Sequence, residues 1–373
     1  MGRSHRLFSR MIAQTITSTQ VDQWRQQGYA FCRKIRRKPP TILYFHQADD
    51  PYSQLAASML QPLQERYHIK IRPYLVHCEN GVVDHSRFAQ WACRDAERLC
   101  HRFGLNPVTN QFEWPNGNEL LKMLGHYSSA MFYFEGTWYW GIDRLHYLEY
   151  RLMQSGLASE AYIPLVSPPE LRLQPLKTNH DKHLIHFFCS LRSPYTWLAV
   201  HRMRKLTEFY SCDLEIKFVL PMVMRGMPVP LAKRLYILRD AKRESQRLDL
   251  PFGRVVDPLG VAVERGLALL QYAIQLGIGL DFLESFLKGV FAEGVDAESN
   301  KGLSFLAHRS GLTQSDIADA LADSSWRQVA ESNRQELLAL GLWGVPSFYC
   351  DAKPALWGQD RLWMLEEDLL NMS

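Results

Sequence analysis

Residues 184–199 of this 373-residue chain read LIHFFCSLRSPYTWLA, and this stretch decides the fold. The run Leu184–Cys189 is apolar and aromatic, which predicts a buried strand. Ser193 and Pro194 follow, and these residue types are favoured at the N-cap and at the first position of a helix. The segment Leu214–Leu220 (LEIKFVL) is predicted to be the next strand. The stretch therefore predicts a strand, a helix and a second strand in succession.

Downstream of these elements the pattern becomes helical. From about residue 225 to 340, apolar residues recur at spacings of three and four, which predicts an all-helical insertion. The segment Gly344–Phe348 (GVPSF) then leads into a short strand, and Trp357–Leu362 (WGQDRL) opens a last helix. The second half of the chain is therefore predicted to be an α/β core that a helical insertion interrupts.

Two short motifs of the second half recur in the first half in the same order. Asp50–Ala56 (DPYSQLA) matches Ser193–Ala199 (SPYTWLA), and Trp140–Leu145 (WGIDRL) matches Trp357–Leu362 (WGQDRL). Agreement of two separate motifs in one order indicates an internal repeat rather than chance. The sequence therefore predicts two related α/β domains.

The predicted organisation has four parts. A helical arm covers residues 1–40, the first domain covers 41–163, a proline-rich linker covers 164–183, and the second domain covers 184–373. A chain of 373 residues fits two domains of roughly 100–200 residues each. We expect the two copies to pack as an intramolecular pseudo-dimer.

Composition and charge exclude several classes of protein. Hydrophobic residues make up 46% and charged residues 22%, as in folded soluble proteins rather than disordered or collagen-like chains. A net charge of +4 is too small to indicate a nucleic-acid partner, and the apolar runs are far shorter than the ~20 residues of a membrane span. The seven cysteines include no C-x-x-C pair, which excludes a zinc ribbon and a dithiol redox motif and favours a reducing, cytoplasmic compartment.

In this order the first strand, the SPYT helix start, the helical insertion, the GVPSF segment and the WGQDRL helix start resemble the thioredoxin superfamily. More narrowly, residues 184–373 resemble the DsbA-like branch that contains 2-hydroxychromene-2-carboxylate isomerases and kappa-class glutathione transferases. The resemblance implies tandem thioredoxin-like domains, the second DsbA-like with an all-helical insertion. It also implies an isomerase or transferase with glutathione as cosubstrate and a small conjugated organic molecule as substrate.

The resemblance assigns the catalytic role to Ser193. Where redox members of the superfamily carry Cys-x-x-Cys, this chain has Ser193 and Thr196, whose hydroxyls cannot form a disulfide. The Ser193 hydroxyl is expected to donate a hydrogen bond to a glutathione thiolate at the positive end of the helix. Pro194, Tyr195 and Thr196 are further candidates for contact with the ligand. Without the resemblance, Ser193 and Pro194 are an ordinary helix start.

Other residues match the glutathione-binding positions of the branch. Val345 and Pro346 match its cis-proline loop, in which the backbone of Val345 faces an extended peptide such as glutathione. Gln359 and Asp360, at a helix start, suit the carboxylate and the ammonium group of the γ-glutamyl end. The branch also carries an asparagine before a proline pair, and this chain has none near Met227 (RGMPVP). Arg225 is a candidate for a carboxylate instead, and an exposed arginine is the competing interpretation.

The first copy departs from the pattern at both motifs. Asp50 stands where the second copy has Ser193, and a carboxylate there repels a thiolate. The cis-proline position falls on Ala130, a residue type that very rarely forms a cis bond. We therefore expect the first domain to be degenerate and non-catalytic.

A second interpretation of the whole chain stays open at this point. The missing asparagine and the degenerate first copy favour a non-catalytic thioredoxin-like binding protein without redox activity. A bound glutathione distinguishes the two interpretations. A metal site is not expected, because His180, His183 and His186 straddle a linker and a strand, where positions three apart face opposite ways.

Overall fold

A computed structural model describes residues 14–78, 85–109, 112–158, 163–175 and 182–372 of the chain, which divides into two compact units. The first unit contains Thr19–Pro169 and Pro230–Tyr236. The second unit contains Glu170–Val229, the chain from Ile237 onward and the described residues before Thr19. The boundary at Pro169 lies within the proline-rich stretch predicted as a linker.

Short strands and helices alternate in the first half of the chain. Its elements, in order, are α1 (Thr19–Ile35), β1 (Thr41–His46), α2 (Pro51–Ala57), α3 (Leu60–Arg66), β2 (Lys70–Leu75), α4 (His85–Phe103), α5 (Asn118–Met123), β3 (Met131–Phe134), β4 (Thr137–Trp140) and α6 (Leu145–Gln154). Helix α1 lies within the predicted N-terminal arm, and residues 1–13 of that arm lie outside the described residues.

The second half has strands near both ends and helices between them, and a last helix follows the final strand. Its elements are β5 (Leu184–Cys189), α7 (Pro194–Tyr210), β6 (Asp213–Phe218), α8 (Leu231–Arg247), α9 (Val261–Gln275), α10 (Gly279–Lys288), α11 (Asn300–Arg309), α12 (Gln314–Ala322), α13 (Trp326–Ala339), β7 (Ser347–Cys350), β8 (Leu356–Trp357) and α14 (Leu362–Met372). In the part of the chain that the structure describes, no helix is both long and apolar enough to cross a membrane.

Each unit is built on a four-stranded mixed sheet with the same strand order. In the first unit the order is β2-β1-β3-β4, with β2 parallel to β1 and the other pairs antiparallel. In the second unit the order is β6-β5-β7-β8, again with only the first pair parallel. This shared architecture confirms the predicted α/β class of tandem thioredoxin-like domains.

The strand registers place the repeated tryptophans at the same position of the two sheets. Trp140 pairs with Met131, the first residue of β3. Trp357 pairs with Ser347, the first residue of β7. The motif match found in the sequence is therefore also a match in sheet geometry.

The region between β6 and β7 is the predicted helical insertion. All of residues 219–346 are described, and their regular elements are helical: α8–α13, a 3-10 turn at Met222–Arg225 and a π-helical turn at Gly289–Glu293. Helices α9 and α10 bury large apolar side chains such as Leu270, Phe282 and Phe286. Burial of such side chains is the main contribution to the stability of this layer.

A buried glutamate in the last helix of each unit binds the backbone of the proline-rich stretch. In the first unit Glu149 accepts a hydrogen bond from the Tyr67 hydroxyl at 3.1 Å and from the Leu165 N–H at 3.0 Å. In the second unit Glu366 accepts from the Tyr210 hydroxyl at 2.9 Å and from the N–H of Leu173 at 2.6 Å. We call each arrangement a tyrosine–glutamate latch.

The latch of the first unit predicts a pH-dependent stability. Burial raises the pKa of Glu149 from 4.5 to about 7. Between these values the folded chain retains a proton that the unfolded chain has released, so the free energy of unfolding falls as pH rises. At ~1.36 kcal/mol per pKa unit the fall is roughly 3 kcal/mol.

Replacement of Glu149 by glutamine is expected to remove this fall, because glutamine resembles the protonated acid and does not ionise. Denaturant unfolding of both proteins at pH 4.5 and pH 8 provides the measurement. Wild type should lose more stability over this range than Glu149→Gln. Equal losses in the two proteins contradict the assignment of the pH dependence to Glu149.

Candidate functional site

The candidate site begins at the carboxyl end of β5, where Ser193 caps helix α7. Its backbone is extended, with φ −97° and ψ 112°, and its Oγ accepts a hydrogen bond from the Thr196 N–H at 3.1 Å. Pro194 occupies the first turn, where its missing N–H leaves no donor unpaired. Helix α7 has 17 residues, so its N-terminus presents a positive end of the helix dipole beside Ser193.

The loop before β7 lies against Ser193. The Val345–Pro346 peptide bond is cis, as the motif predicts. The Ser193 hydroxyl donates a hydrogen bond to the Val345 carbonyl oxygen at 3.2 Å, although the two residues are 152 positions apart. Both Ser193 and Val345 are half-buried. The structure therefore brings together the two predicted site positions and leaves both within reach of solvent.

Thr196 and Cys189 are not exposed at the solvent-accessible surface that Ser193 and Val345 form. Thr196 is fully buried, and its Oγ1 accepts a 3.5 Å hydrogen bond from the Ser190 N–H. Cys189 is also fully buried, and burial raises the pKa of its thiol. Thr196 carries no sulfur and the Cys189 thiol is buried, so neither residue supplies a nucleophilic thiolate at the end of helix α7.

The protein is therefore expected to be inactive in dithiol exchange. It should neither reduce insulin disulfides nor oxidise a dithiol peptide, because the two positions that carry cysteines in redox relatives are Ser193 and Thr196. An insulin-reduction assay beside an active dithiol oxidoreductase checks this. Turnover that survives replacement of every cysteine except Cys189 overturns the expectation.

Tyr195 connects the start of α7 to the helical insertion. Its hydroxyl donates to the buried Asp240 carboxylate at 2.8 Å, and Arg243 donates to the other oxygen of Asp240 at 3.0 Å. Asp240 is not among the predicted site residues. The signal in the sequence is the spacing of Asp240 and Arg243 on one helix face, but this spacing also occurs in exposed ion pairs.

Gln359 and Asp360 form a short 3-10 turn before α14. Gln359 is buried, and its Oε1 accepts from Arg202 at 2.9 Å. Its Nε2 donates to Glu244 at 2.9 Å and to Asp360 at 2.5 Å. The amide of Gln359 is thus engaged within the protein and orients Asp360, which is half-buried.

Arg225 lies beside the Val345 loop. Its guanidinium donates to the Trp343 carbonyl oxygen at 2.8 Å, two residues before Val345. Burial lowers the pKa of Arg225 to about 10, so the group remains positive at neutral pH. Its Nε is buried and has no hydrogen-bond partner in the described chain. Arg225 is therefore a positive charge that a hydrogen bond fixes near Val345, whose backbone is predicted to contact the ligand.

The equivalent place in the first unit is filled by a carboxylate. Asp50 lies five residues after Phe45, and Ser193 lies five residues after Phe188, the strand residues that pair with the first residues of β3 and β7. Asp50 caps α2 and accepts hydrogen bonds from two backbone N–H groups of that helix. It also accepts from the Ser129 hydroxyl at 2.9 Å.

The cis-proline position differs as well. Pro346 accepts a hydrogen bond from the Gly358 N–H at 2.8 Å, and Ala130 accepts one from the Gly141 N–H at 2.7 Å. Ala130 therefore stands where the second unit has Pro346, and it adopts a left-handed φ of 55°. Such a φ is unusual for a residue other than glycine.

Comparison with known proteins covers the second half of the chain. The family described as the DSBA-like thioredoxin domain matches residues 184–370. A curated relative, 2-hydroxychromene-2-carboxylate isomerase from Pseudomonas sp. (strain C18), is 21% identical over 191 residues, which are 49% of this chain and 88% of the relative.

Two solved structures that the chain resembles cover a similar share of it. A structure of 2-hydroxychromene-2-carboxylate isomerase is 19% identical with a TM-score of 0.43 and covers 51% of this chain and 95% of its own. The cytosolic disulfide reductase DsbM from Pseudomonas aeruginosa is 18% identical with a TM-score of 0.41 and covers 51% of this chain and 96% of its own.

Proposed function

The chain belongs to the DSBA-like thioredoxin domain family, and from this premise we propose that its second unit is a glutathione-dependent isomerase or transferase. The proposed reaction resembles that of 2-hydroxychromene-2-carboxylate isomerase, with a small conjugated organic molecule as substrate. The single observation that carries the proposal is the position of the Ser193 hydroxyl between the Thr196 N–H and the Val345 carbonyl oxygen. Free cysteines at all seven positions support a reducing, cytoplasmic setting.

The proton of the Ser193 hydroxyl explains how ligand binding activates the site. In the structure this proton is donated to the Val345 carbonyl oxygen. An extended ligand such as glutathione can offer its own N–H to that carbonyl. The Ser193 hydroxyl can then rotate and donate to the ligand's sulfur, where the end of helix α7 also favours a negative charge.

Two charged side chains match the ends of glutathione. We assign the ammonium group of the γ-glutamyl end to Asp360, whose position Gln359 maintains. We assign a carboxylate to Arg225, which replaces the missing asparagine of the branch. Both assignments rest on charge complementarity and on the hydrogen bonds that hold these residues near the Val345 loop and the last helix.

The chemistry requires no oxidant or metal. The thiolate forms a C–S bond with the terminal carbon of a conjugated carbonyl, and the electron pair of the double bond moves to the carbonyl oxygen. The former double bond is now single and rotates. The enolate then expels the thiolate and re-forms the double bond, so no electron or proton is gained or lost overall. The enzyme contributes thiolate stabilisation and positioning.

Asp360→Ala is expected to weaken glutathione binding by about 10- to 100-fold, because a hydrogen bond to a charged group contributes roughly 1.5–3 kcal/mol. The pKa of the bound thiol should change little. Calorimetric titration with glutathione measures the affinity, and ultraviolet thiolate absorbance against pH measures the thiol pKa. The matched control is Asp143→Ala, the same motif position in the first unit, which should bind like wild type. Absence of binding to wild type at millimolar glutathione rejects the proposal.

A non-catalytic binding protein is the second candidate. The engagement of the Gln359 amide by three protein partners favours it, because that amide has fewer groups left for a ligand. Glutathione binding without turnover of any conjugated substrate, in a panel of cis enones, supports this candidate over the enzyme.

A further inference from the structure

Three potential metal ligands from two distant parts of the chain meet at the end of the second sheet that lies away from Ser193. His183 immediately precedes β5, Cys350 ends β7, and Asp351 begins the turn to β8. Strand β5 has six residues, so this end lies roughly 20 Å along the strand from the end that leads to Ser193. The cluster is therefore separate from the candidate functional site.

The donor atoms of the three residues are already close. His183 Nδ1 lies 2.8 Å from Asp351 Oδ2, and Cys350 Sγ lies 3.5 Å from the same oxygen. One donor atom from each residue lies within 4.8 Å of the other two. The thiol is buried, the imidazole is largely covered, and the carboxylate reaches the surface. An ion can thus enter from the Asp351 side.

We infer that His183, Cys350 and Asp351 bind a divalent zinc-like cation with a fourth position open to water. Imidazole nitrogen, thiolate sulfur and carboxylate oxygen are the three ligand types that Zn²⁺ takes in proteins. With bonds of about 2.0 Å to oxygen and about 2.3 Å to sulfur, a tetrahedral site separates these two atoms by about 3.5 Å. The Cys350–Asp351 separation of 3.5 Å matches this value without rearrangement.

Binding also balances charge. In the structure the Cys350 thiol donates a weak hydrogen bond to Asp351 Oδ2 at 3.5 Å. The cation displaces the thiol proton to solvent, and one thiolate and one carboxylate then neutralise its two positive charges. The hydrogen-bonded His183 and Asp351 atoms need to separate by only about 0.5 Å to reach the ~3.3 Å edge of a tetrahedral site.

The first unit shows that this donor set is not a general property of the fold. By strand register, Phe134 and Glu135 occupy the positions of Cys350 and Asp351. The Glu135 carboxylate is bound by Arg33 at 2.6 Å and by Arg151 at 3.2 Å. Two guanidinium groups there exclude a cation, whereas the second unit presents a histidine and a cysteine to the corresponding carboxylate.

Titration of the reduced, chelator-treated full chain with Co²⁺ tests the inference, because Co²⁺ reports thiolate ligation by a charge-transfer band. We expect one equivalent of Co²⁺ to produce the band and Zn²⁺ to displace it. Cys350→Ser should abolish the band. Asp351→Asn, which keeps an oxygen acceptor for the Leu184 N–H, should weaken Co²⁺ binding at least tenfold while leaving the circular dichroism spectrum unchanged.

Cys189 provides the matched control. Like Cys350 it is fully buried, but it lies at the opposite end of β5. Cys189→Ser should retain the band. The inference is overturned if wild type gives no thiolate band, if the band survives in Cys350→Ser, or if Cys189→Ser abolishes it.

Discussion

Replacing Ser193 by alanine is expected to raise the pKa of the thiol of bound glutathione by one to two units. The reference pKa of a free thiol is about 8.5, and a hydrogen bond to a charged group contributes roughly 1.5–3 kcal/mol. At ~1.36 kcal/mol per unit, loss of the hydroxyl removes most of the thiolate at neutral pH. Turnover of a conjugated substrate should fall about 10- to 100-fold, because the thiolate is the nucleophile.

Ultraviolet thiolate absorbance of the glutathione complex against pH measures this effect directly. Affinity measured at pH 6, where the ligand binds as a thiol in both proteins, should change little. Ser193→Thr is the matched control, since it keeps a hydroxyl that can cap α7 and donate to sulfur. An unchanged thiol pKa in Ser193→Ala, beside intact glutathione binding, removes Ser193 from the proposed mechanism.

Replacing Glu366 by alanine is expected to lower the free energy of unfolding by about 3–5 kcal/mol. Glu366 is 1% exposed and accepts hydrogen bonds from Arg172 N–H at 2.7 Å, from Leu173 N–H at 2.6 Å and from the Tyr210 hydroxyl at 2.9 Å. The bond from the Tyr210 hydroxyl is buried and the two backbone bonds are partly buried. A buried donor that loses its acceptor costs about 1–3 kcal/mol, and a partly buried one costs less. Removal of the carboxylate leaves all three donors without this acceptor.

The neighbouring Glu367 provides the control for this prediction. Glu367 is partly exposed, and its ion pair with Arg172 spans 3.9 Å. Such surface pairs contribute about 0–1 kcal/mol. Denaturant unfolding of wild type, Glu366→Ala and Glu367→Ala should therefore separate the two variants clearly. Equal midpoints for both variants contradict the role given to the tyrosine–glutamate latch.

The fold could be predicted because the residues that specify it act locally. Asp50 and Ser193 start helices through their own side chains, and each hydrogen bond spans only two or three residues. The same holds for the apolar spacing that predicts helices α8–α13. Repetition of two motifs then indicates that the local patterns belong to two copies of one architecture.

The site could be predicted only in part, because its contacts join residues that are far apart in the chain. Only the order of the SPYT and GVPSF motifs in the sequence indicates that Ser193 and Val345 belong to one site. Nothing in the local sequence of Gln359 indicates that Arg202, 157 residues away, and Glu244, 115 residues away, engage its amide. His183 shows the same limit, because its partner Asp351 is 168 residues away. The spacing of His180, His183 and His186 in the sequence does not indicate this contact.

The carboxylate of Asp50 acts as a ligand that never dissociates. It is tethered to the helix that it caps, so its effective concentration at those N–H groups is that of an intramolecular partner, at least millimolar. A soluble anion has to displace it and also overcome like-charge repulsion. The end of α2 in the first unit is therefore occupied by a charge of the chain itself, whereas the second unit presents the neutral hydroxyl of Ser193 at the corresponding helix end. Under the function proposed above, this exchange of a carboxylate for a hydroxyl at one helix cap distinguishes the copy that binds a thiolate from the copy that does not.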